Sequence, residues 1–182
     1  MLASVQPTVE PHQAQESQDP AVLQRPRTLS QQELARKVHE LAGRPAQWVS
    51  RVRLDAEGRW YEQIHMDGCY EIWLISWLPG HATGFHDHGE ANGAFSVVWG
   101  ALAESVVPRH GSGEHGARAT VRPVTQGVVR AFGQHYVHDV RNATDSVAVS
   151  IHAYSPPLTA MTRYRLTEAG LVPSATETQA NW

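Results

Sequence analysis

Between Gly80 and Gly100 the chain reads GHATGFHDHGEANGAFSVVWG, and this run constrains the fold more than any other. Its centre is His86-Asp87-His88. In an extended segment, residues two apart point to the same face, so His86 and His88 can aim both imidazoles at one point. Phe95, Val97, Val98 and Trp99 follow, which are residues a strand favours. Glycines punctuate both ends. Two imidazoles on one rigid element suit a divalent transition metal. A second run, Gly127 to Asn142 (GVVRAFGQHYVHDVRN), brings another strand-like segment and a third histidine, His138.

The two runs resemble the paired signatures of the cupin superfamily. Gly80 is followed after five intervening residues by His86-x-His88, then after four more by Gly93, then after six more by Gly100. Gly93 stands where cupins usually carry a ligand Glu. In the second run Gly127, His138 and Asn142 keep the cupin spacing, while Gly133 and His135 replace the usual Pro and Gly. The resemblance implies an all-β fold, a small jelly-roll-like cupin barrel.

The remaining sequence agrees with that class. Short β-like runs begin near Arg59: Trp60–His65, Tyr70–Leu78, Ala94–Trp99, Leu102–Val107, Ala117–Val124, Val128–Phe132, Val137–Val140, Ser146–Tyr154 and Thr159–Leu166. Gly/Pro turns separate many of them, as in a sandwich or barrel. Tyr70–Leu78 is the most apolar and reads as a central strand. Leu102–Val107 reads as the neighbour of Ala94–Trp99 around Gly100. Pro108–Gly116 reads as a polar turn in which His110 and His115 are solvated. Ahead of the strands, Ser30 and Glu33 have capping-box spacing. Leu34, Val38 and Leu41 form one apolar stripe, and Gly43 and Pro45 end that helix. Trp48, Val49 and Val52 continue the cover in a second short helix. The expected layout is a disordered tail at 1–27, a cupin domain with N-terminal helices packed outside it at 28–170, and a polar tail at 171–182.

Composition excludes some partners. The formal net charge is -3 without a long basic run, which argues against nucleic acid. No apolar run nears the roughly 18 residues that span a bilayer, and the N-terminus lacks a signal-peptide pattern. Cys69 is the single cysteine. It cannot form an internal disulfide, which fits a reducing cytoplasm. The chain is expected to be cytoplasmic, a monomer or a small homo-oligomer.

The chemistry rests on two patterns. His86, His88 and His138 can occupy one face of a metal, with no protein carboxylate evident beside them. Three such ligands serve zinc and a water as readily as a redox metal. In Ser146–Pro157 (SVAVSIHAYSPP), alternation puts Ser150, His152 and Tyr154 on one face and Val149, Ile151 and Ala153 on the other. A buried polar row must be hydrogen-bonded internally. Ser150 can bond His152, and His152 the Tyr154 hydroxyl, either as a purely structural row or as part of a site.

H-D-H-G, Gly93, H-D-V-x-N and S-x-H-x-Y-S-P-P together resemble the cysteine dioxygenase family of thiol dioxygenases, over about residues 30–166. The resemblance implies a mononuclear non-haem Fe(II) held by His86, His88 and His138. It implies O2 and a small thiol carboxylic acid, L-cysteine or 3-mercaptopropionate, as substrates, and a sulfinic acid as product. Ser150, His152 and Tyr154 match the family's relay, in which the tyrosine orients oxygen or substrate. Gly93 replaces the cysteine that animal members cross-link to that tyrosine. Cysteine-specific members carry Y-x-R on an early strand, whereas this chain has Tyr61-Glu62-Gln63. Gln63 would then face the substrate carboxylate as a neutral donor, with Arg59 or Arg163 supplying charge and Trp77 walling the pocket. His135 and His81 are expected to act by hydrogen bonding. The competing readings are a small-molecule-binding or sensing cupin with a structural metal, and a zinc or manganese cupin isomerase or hydrolase.

Overall fold

The structure is a computed structural model that describes residues 27–107 and 117–178. The expected tail 1–27, apart from Arg27, and the expected turn 108–116 with His110 and His115 lie outside the described residues.

The helix α1 (Gln31–Ala42) starts where the capping box predicts. The Ser30 side chain accepts from the Glu33 backbone, and the Glu33 carboxylate accepts from the Ser30 N–H at 2.9 Å. Such a cap stabilises by about 1 kcal/mol. Leu34 and Val38 are fully buried, and the helix closes at Gly43. The expected second helix is two short 3-10 turns, Pro45–Gln47 and Val49–Arg51. Pro45 has no N–H to continue a helical ladder. Trp48 is buried there, but Val49 faces solvent.

Among the described residues ten strands follow: β1 (Trp60–Met66), β2 (Glu71–Trp77), β3 (Asn92–Trp99), β4 (Ala101–Val106), β5 (Thr120–Thr125), β6 (Val129–Phe132), β7 (His138–Arg141), β8 (Ala148–Ser155), β9 (Ala160–Thr167) and β10 (Gly170–Thr178). A five-stranded sheet has the order β1-β2-β8-β3-β6. Its centre is β8, all of whose residues are buried, and β2 lies between β1 and β8. A second sheet, β5-β4-β7, faces it, and β9 pairs with β10. The two sheets make the mostly β, jelly-roll cupin architecture.

Two expectations change. β3 and β4 are not neighbours, because they belong to different sheets. Gly100 is the corner between them, at φ +71, and a Cβ there would lie 2.5 Å from the Val147 carbonyl oxygen. Residues 170–178 are strand β10 and not tail. Their antiparallel pairing with β9 is made by backbone, which a polar side-chain pattern does not reveal. The register shifts between Pro173 and Ala175, which also blurs any alternation.

Alternation in the large sheet builds two cores. Ile72, Leu74, Ala94, Val149, Ile151 and Ala153 point outward and pack against Leu34, Val38 and Trp48. Trp77, Phe95, Val97 and Tyr154 point inward, toward Leu102, Val124 and Val140 of the second sheet. No helix among the described residues is long and apolar enough to cross a membrane.

Candidate metal centre and cavity

The three histidines come from two pieces of chain. His138 begins β7. His86 and His88 do not sit in a regular strand. The segment 82–87 is an irregular extended run between β7 and β9. His86 exchanges backbone hydrogen bonds with His138 at 2.9 and 3.1 Å, and Tyr164 N–H donates to the Phe85 carbonyl at 2.8 Å. Asp87, between the two histidines, points away from them. Its carboxylate accepts from the Gly89 and Thr162 backbones and from the Tyr164 hydroxyl at 2.7 Å, locking the run to β9. Alternation therefore works as expected, in a segment held by its neighbours on both sides.

His86, His88 and His138 are buried, and each offers a ring nitrogen within 4.8 Å of the others. Burial, and then the neighbouring imidazoles, push His86 and His88 well below the ordinary histidine range, so both are neutral. His86 Nδ1 lies 2.9 Å from the Gly84 carbonyl, which can only accept, so it carries the proton and Nε2 keeps a free lone pair. His138 Nδ1 lies 2.9 Å from the Glu104 carboxylate, with the same consequence. His88 Nδ1 is buried without a hydrogen-bond partner among the described residues. Free imidazole lone pairs converging in a buried site, with one orphaned nitrogen, fit a bound cation.

Glu104 escaped the sequence reading. It sits on the buried face of β4 between Leu102 and Val106, and a carboxylate on that apolar alternation is the signal that could have found it. Burial alone would raise its carboxyl. Hydrogen bonds from His138 and Tyr136, with Arg130 nearby, outweigh burial and hold it below the usual range. A buried carboxylate behind a ligand histidine fixes the ring and raises its basicity.

Gly93 lies opposite both Phe132 and Tyr154 in the sheet. A Cβ at Gly93 would run into the Phe132 ring. The phenyl ring fills the space a side chain at this position would need, so no fourth ligand comes from here.

Ser150, His152 and Tyr154 share the inward face of β8 as expected, and Trp77 extends the row. Trp77 Nε1 donates to Ser150 Oγ at 2.8 Å, Ser150 Oγ is 2.8 Å from His152 Nε2, and the Tyr154 hydroxyl is 3.3 Å from His152 Nδ1. The indole can only donate, so it occupies a Ser150 lone pair. Among the described residues the Ser150 proton has one acceptor, His152 Nε2. That places the imidazole proton on Nδ1, facing the Tyr154 oxygen, and leaves the Tyr154 proton to donate elsewhere. Burial lowers His152 to about 3, so it stays neutral, and burial raises the Tyr154 hydroxyl, so it stays protonated.

One cavity of about 290 Å³ has Arg59, Tyr61, Trp73, Trp77, His86, His138, His152, Tyr154, Arg163 and Glu177 in its wall, with His88 and Ser150 behind it. The Arg59 guanidinium lies 5.3 Å from the centre of the Trp77 ring. Arg163 is tied at three nitrogens: Nε and Nη2 donate to Glu177 at 3.0 and 2.7 Å, and Nη1 to the Thr83 carbonyl at 3.0 Å. Gln63 is not in the wall. It donates to the buried Glu71 at 2.8 Å, whose other oxygen accepts from Leu158 N–H. Gln63 shares the inward face of β1 with Tyr61, opposite Trp73, but its amide is turned to Glu71 at the start of β2. Glu177 also escaped the sequence reading, because β10 did. His81 accepts from Leu78 N–H, as expected of a hydrogen-bonding residue. His135 is exposed beside Glu90 at 3.4 Å and takes no part in the cavity.

Two facing β-sheets carrying a buried three-histidine cluster between two spaced glycine-flanked motifs define the class, a cupin. The chain belongs to the cysteine dioxygenase type I family, whose model matches residues 20–167. Solved structures similar to it are a Thermus thermophilus protein (21% identity, 60% of this chain and 94% of that one, TM-score 0.46) and a Klebsiella pneumoniae protein with a double-stranded β-helix domain (13%, 82% and 97%, TM-score 0.49). An RmlC-like cupin from Desulfovibrio desulfuricans is similar at 23% identity, over 59% of this chain and 91% of that one, with TM-score 0.47.

Proposed function

We propose that the chain is an iron-dependent thiol dioxygenase that converts a small thiol carboxylic acid, such as L-cysteine or 3-mercaptopropionate, to its sulfinic acid. The observation that carries this reading is that His86 and His138 of the three-histidine cluster meet Trp77, His152 and Tyr154 of the hydrogen-bonded row in one cavity of a cysteine dioxygenase family member. The balance is RSH + O2 → RSO2H. Both oxygen atoms end on sulfur, sulfur gives up four electrons, dioxygen takes four, and no outside reductant is needed.

His86, His88 and His138 would hold Fe(II) through their free ring nitrogens. Iron, when bound, supplies the redox chemistry that couples dioxygen to the sulfur. The protein residues do the rest. Arg59 offers a guanidinium to the carboxylate end of the substrate. Trp73, Ile75, Leu158 and Met161 make the rest of the wall apolar and exclude water. Tyr154, kept protonated and with its oxygen held by His152, donates its hydroxyl proton into the cavity at the reacting end. A hydrogen bond to a charged group contributes roughly 1.5–3 kcal/mol. Gln63 acts one layer back, by holding Glu71.

The test is product analysis under 18O2. Incubation with 3-mercaptopropionate or L-cysteine should give the sulfinic acid with both label atoms retained. Label entering from water, or no thiol-dependent oxygen uptake at all, would refute the dioxygenase reading and favour a cupin that binds or hydrolyses.

A further inference from the structure

We infer that Glu177 sets the charge class of the substrate: by neutralising Arg163 it restricts the cavity to thiols that carry one carboxylate and excludes those that carry two. This rests on the thiol dioxygenase reading for its substrate and on the cavity geometry for its charge.

Three formal charges line the cavity: Arg59, Arg163 and Glu177. Arg163 is spent, since Nε and Nη2 both donate to Glu177 Oε2 and Nη1 donates to Thr83. A substrate carboxylate could reach this guanidinium only by displacing Glu177, and a second anion there would meet a carboxylate already in place. Arg59 is the contrasting case. It makes no hydrogen bond or ion pair with a described residue, and its guanidinium carbon lies 5.3 Å from the centre of the Trp77 ring. A half-buried guanidinium without a counter-ion is a receptor for one carboxylate. The cavity therefore carries one uncompensated positive charge among the described residues. The ion pair joins β9 to β10, so the strand at the C-terminal end of the described chain works as a selectivity element, and replacing its single carboxylate by an amide changes the cavity by one full charge.

The experiment compares two probes, 3-mercaptopropionate with one carboxylate and 2-mercaptosuccinate with two. Their dissociation constants are measured on anaerobic iron-loaded protein by quenching of tryptophan fluorescence, since Trp73 and Trp77 line the cavity, and their kcat/KM values by sulfinate formation. Glu177→Gln should raise affinity for the dicarboxylate relative to the monocarboxylate by about tenfold, the scale of one freed charge-assisted contact. Adding Arg163→Gln should cancel that gain, and Glu177→Asp, which keeps the charge, should leave the preference near that of the wild type. A ratio within twofold of the wild type in Glu177→Gln, or a gain that survives removal of Arg163, overturns the inference. If Glu177→Gln does not fold, Arg59→Gln decides from the other side. It should weaken 3-mercaptopropionate at least tenfold while leaving 2-mercaptoethanol, which has no carboxylate, unaffected, and equal weakening of both overturns the inference. Should the wild type bind these thiols but oxidise none, the dioxygenase reading falls, and the binding ratios still decide the role of Glu177.

Discussion

The two faces of β8 are made by the same eight residues and do opposite work. Outward, Val149, Ile151 and Ala153 meet α1 in a dry apolar layer. Inward, Ser150, His152 and Tyr154 form a hydrogen-bonded row against the cavity, and each is as buried as its outward neighbours. Burial does not distinguish the faces. What distinguishes them is the kind of satisfaction each needs: shape on one side, donors and acceptors on the other. A period of two lets one strand serve as both scaffold and site.

The comparison breaks most completely at the three-histidine cluster. His138→Ala removes one of three protein nitrogens and should abolish iron retention and sulfinate formation while the chain stays folded, as metal analysis and circular dichroism would show. Next comes the outward face. Ile151→Ala leaves a cavity under α1 and should cost about 2–5 kcal/mol in urea unfolding, with kcat/KM per folded molecule unchanged. Tyr154→Phe is the inward counterpart. It keeps the ring and its packing and removes one donor, so the unfolding midpoint should hold while kcat/KM falls roughly ten- to hundredfold. If Ile151→Ala lowered kcat/KM and Tyr154→Phe lowered stability, the two faces would not be separable.

The smallest effect is in pH. His152 is held at about 3, against an ordinary 6.5, because it is buried. The unfolded chain therefore binds a proton that the folded chain refuses between those values. This stability is present in full above 6.5 and is lost as pH falls toward 3. Between pH 7 and pH 5, His152→Gln should lose about 1–2 kcal/mol less than the wild type in urea unfolding. Equal losses would mean that His152 titrates normally in the fold.

How much of this was legible in sequence follows the same division. The alternation in SVAVSIHAYS carried both faces of β8, and the glycine-bounded histidine runs carried the cluster, because each depends on local spacing. What depends on distant partners was not legible. Gly100 turns the chain into another sheet because Val147 and Ala148 stand against it, and they lie far along the sequence. Gln63 is drawn to Glu71 across a hairpin whose ladder slips. Glu177 matters through Arg163, and a tail of polar residues gives no period to announce a strand. Glu104 was the one missed residue with a local signal, a carboxylate on the apolar face of ALAESV.

The most direct test of the three-histidine centre is an anaerobic titration of metal-free protein with Fe(II), followed by admission of O2 with 3-mercaptopropionate. The centre predicts saturation at about one iron per chain, activity that rises in proportion to bound iron, and one O2 consumed for each sulfinate formed. Activity that is full without iron, or supported equally by zinc, would contradict it.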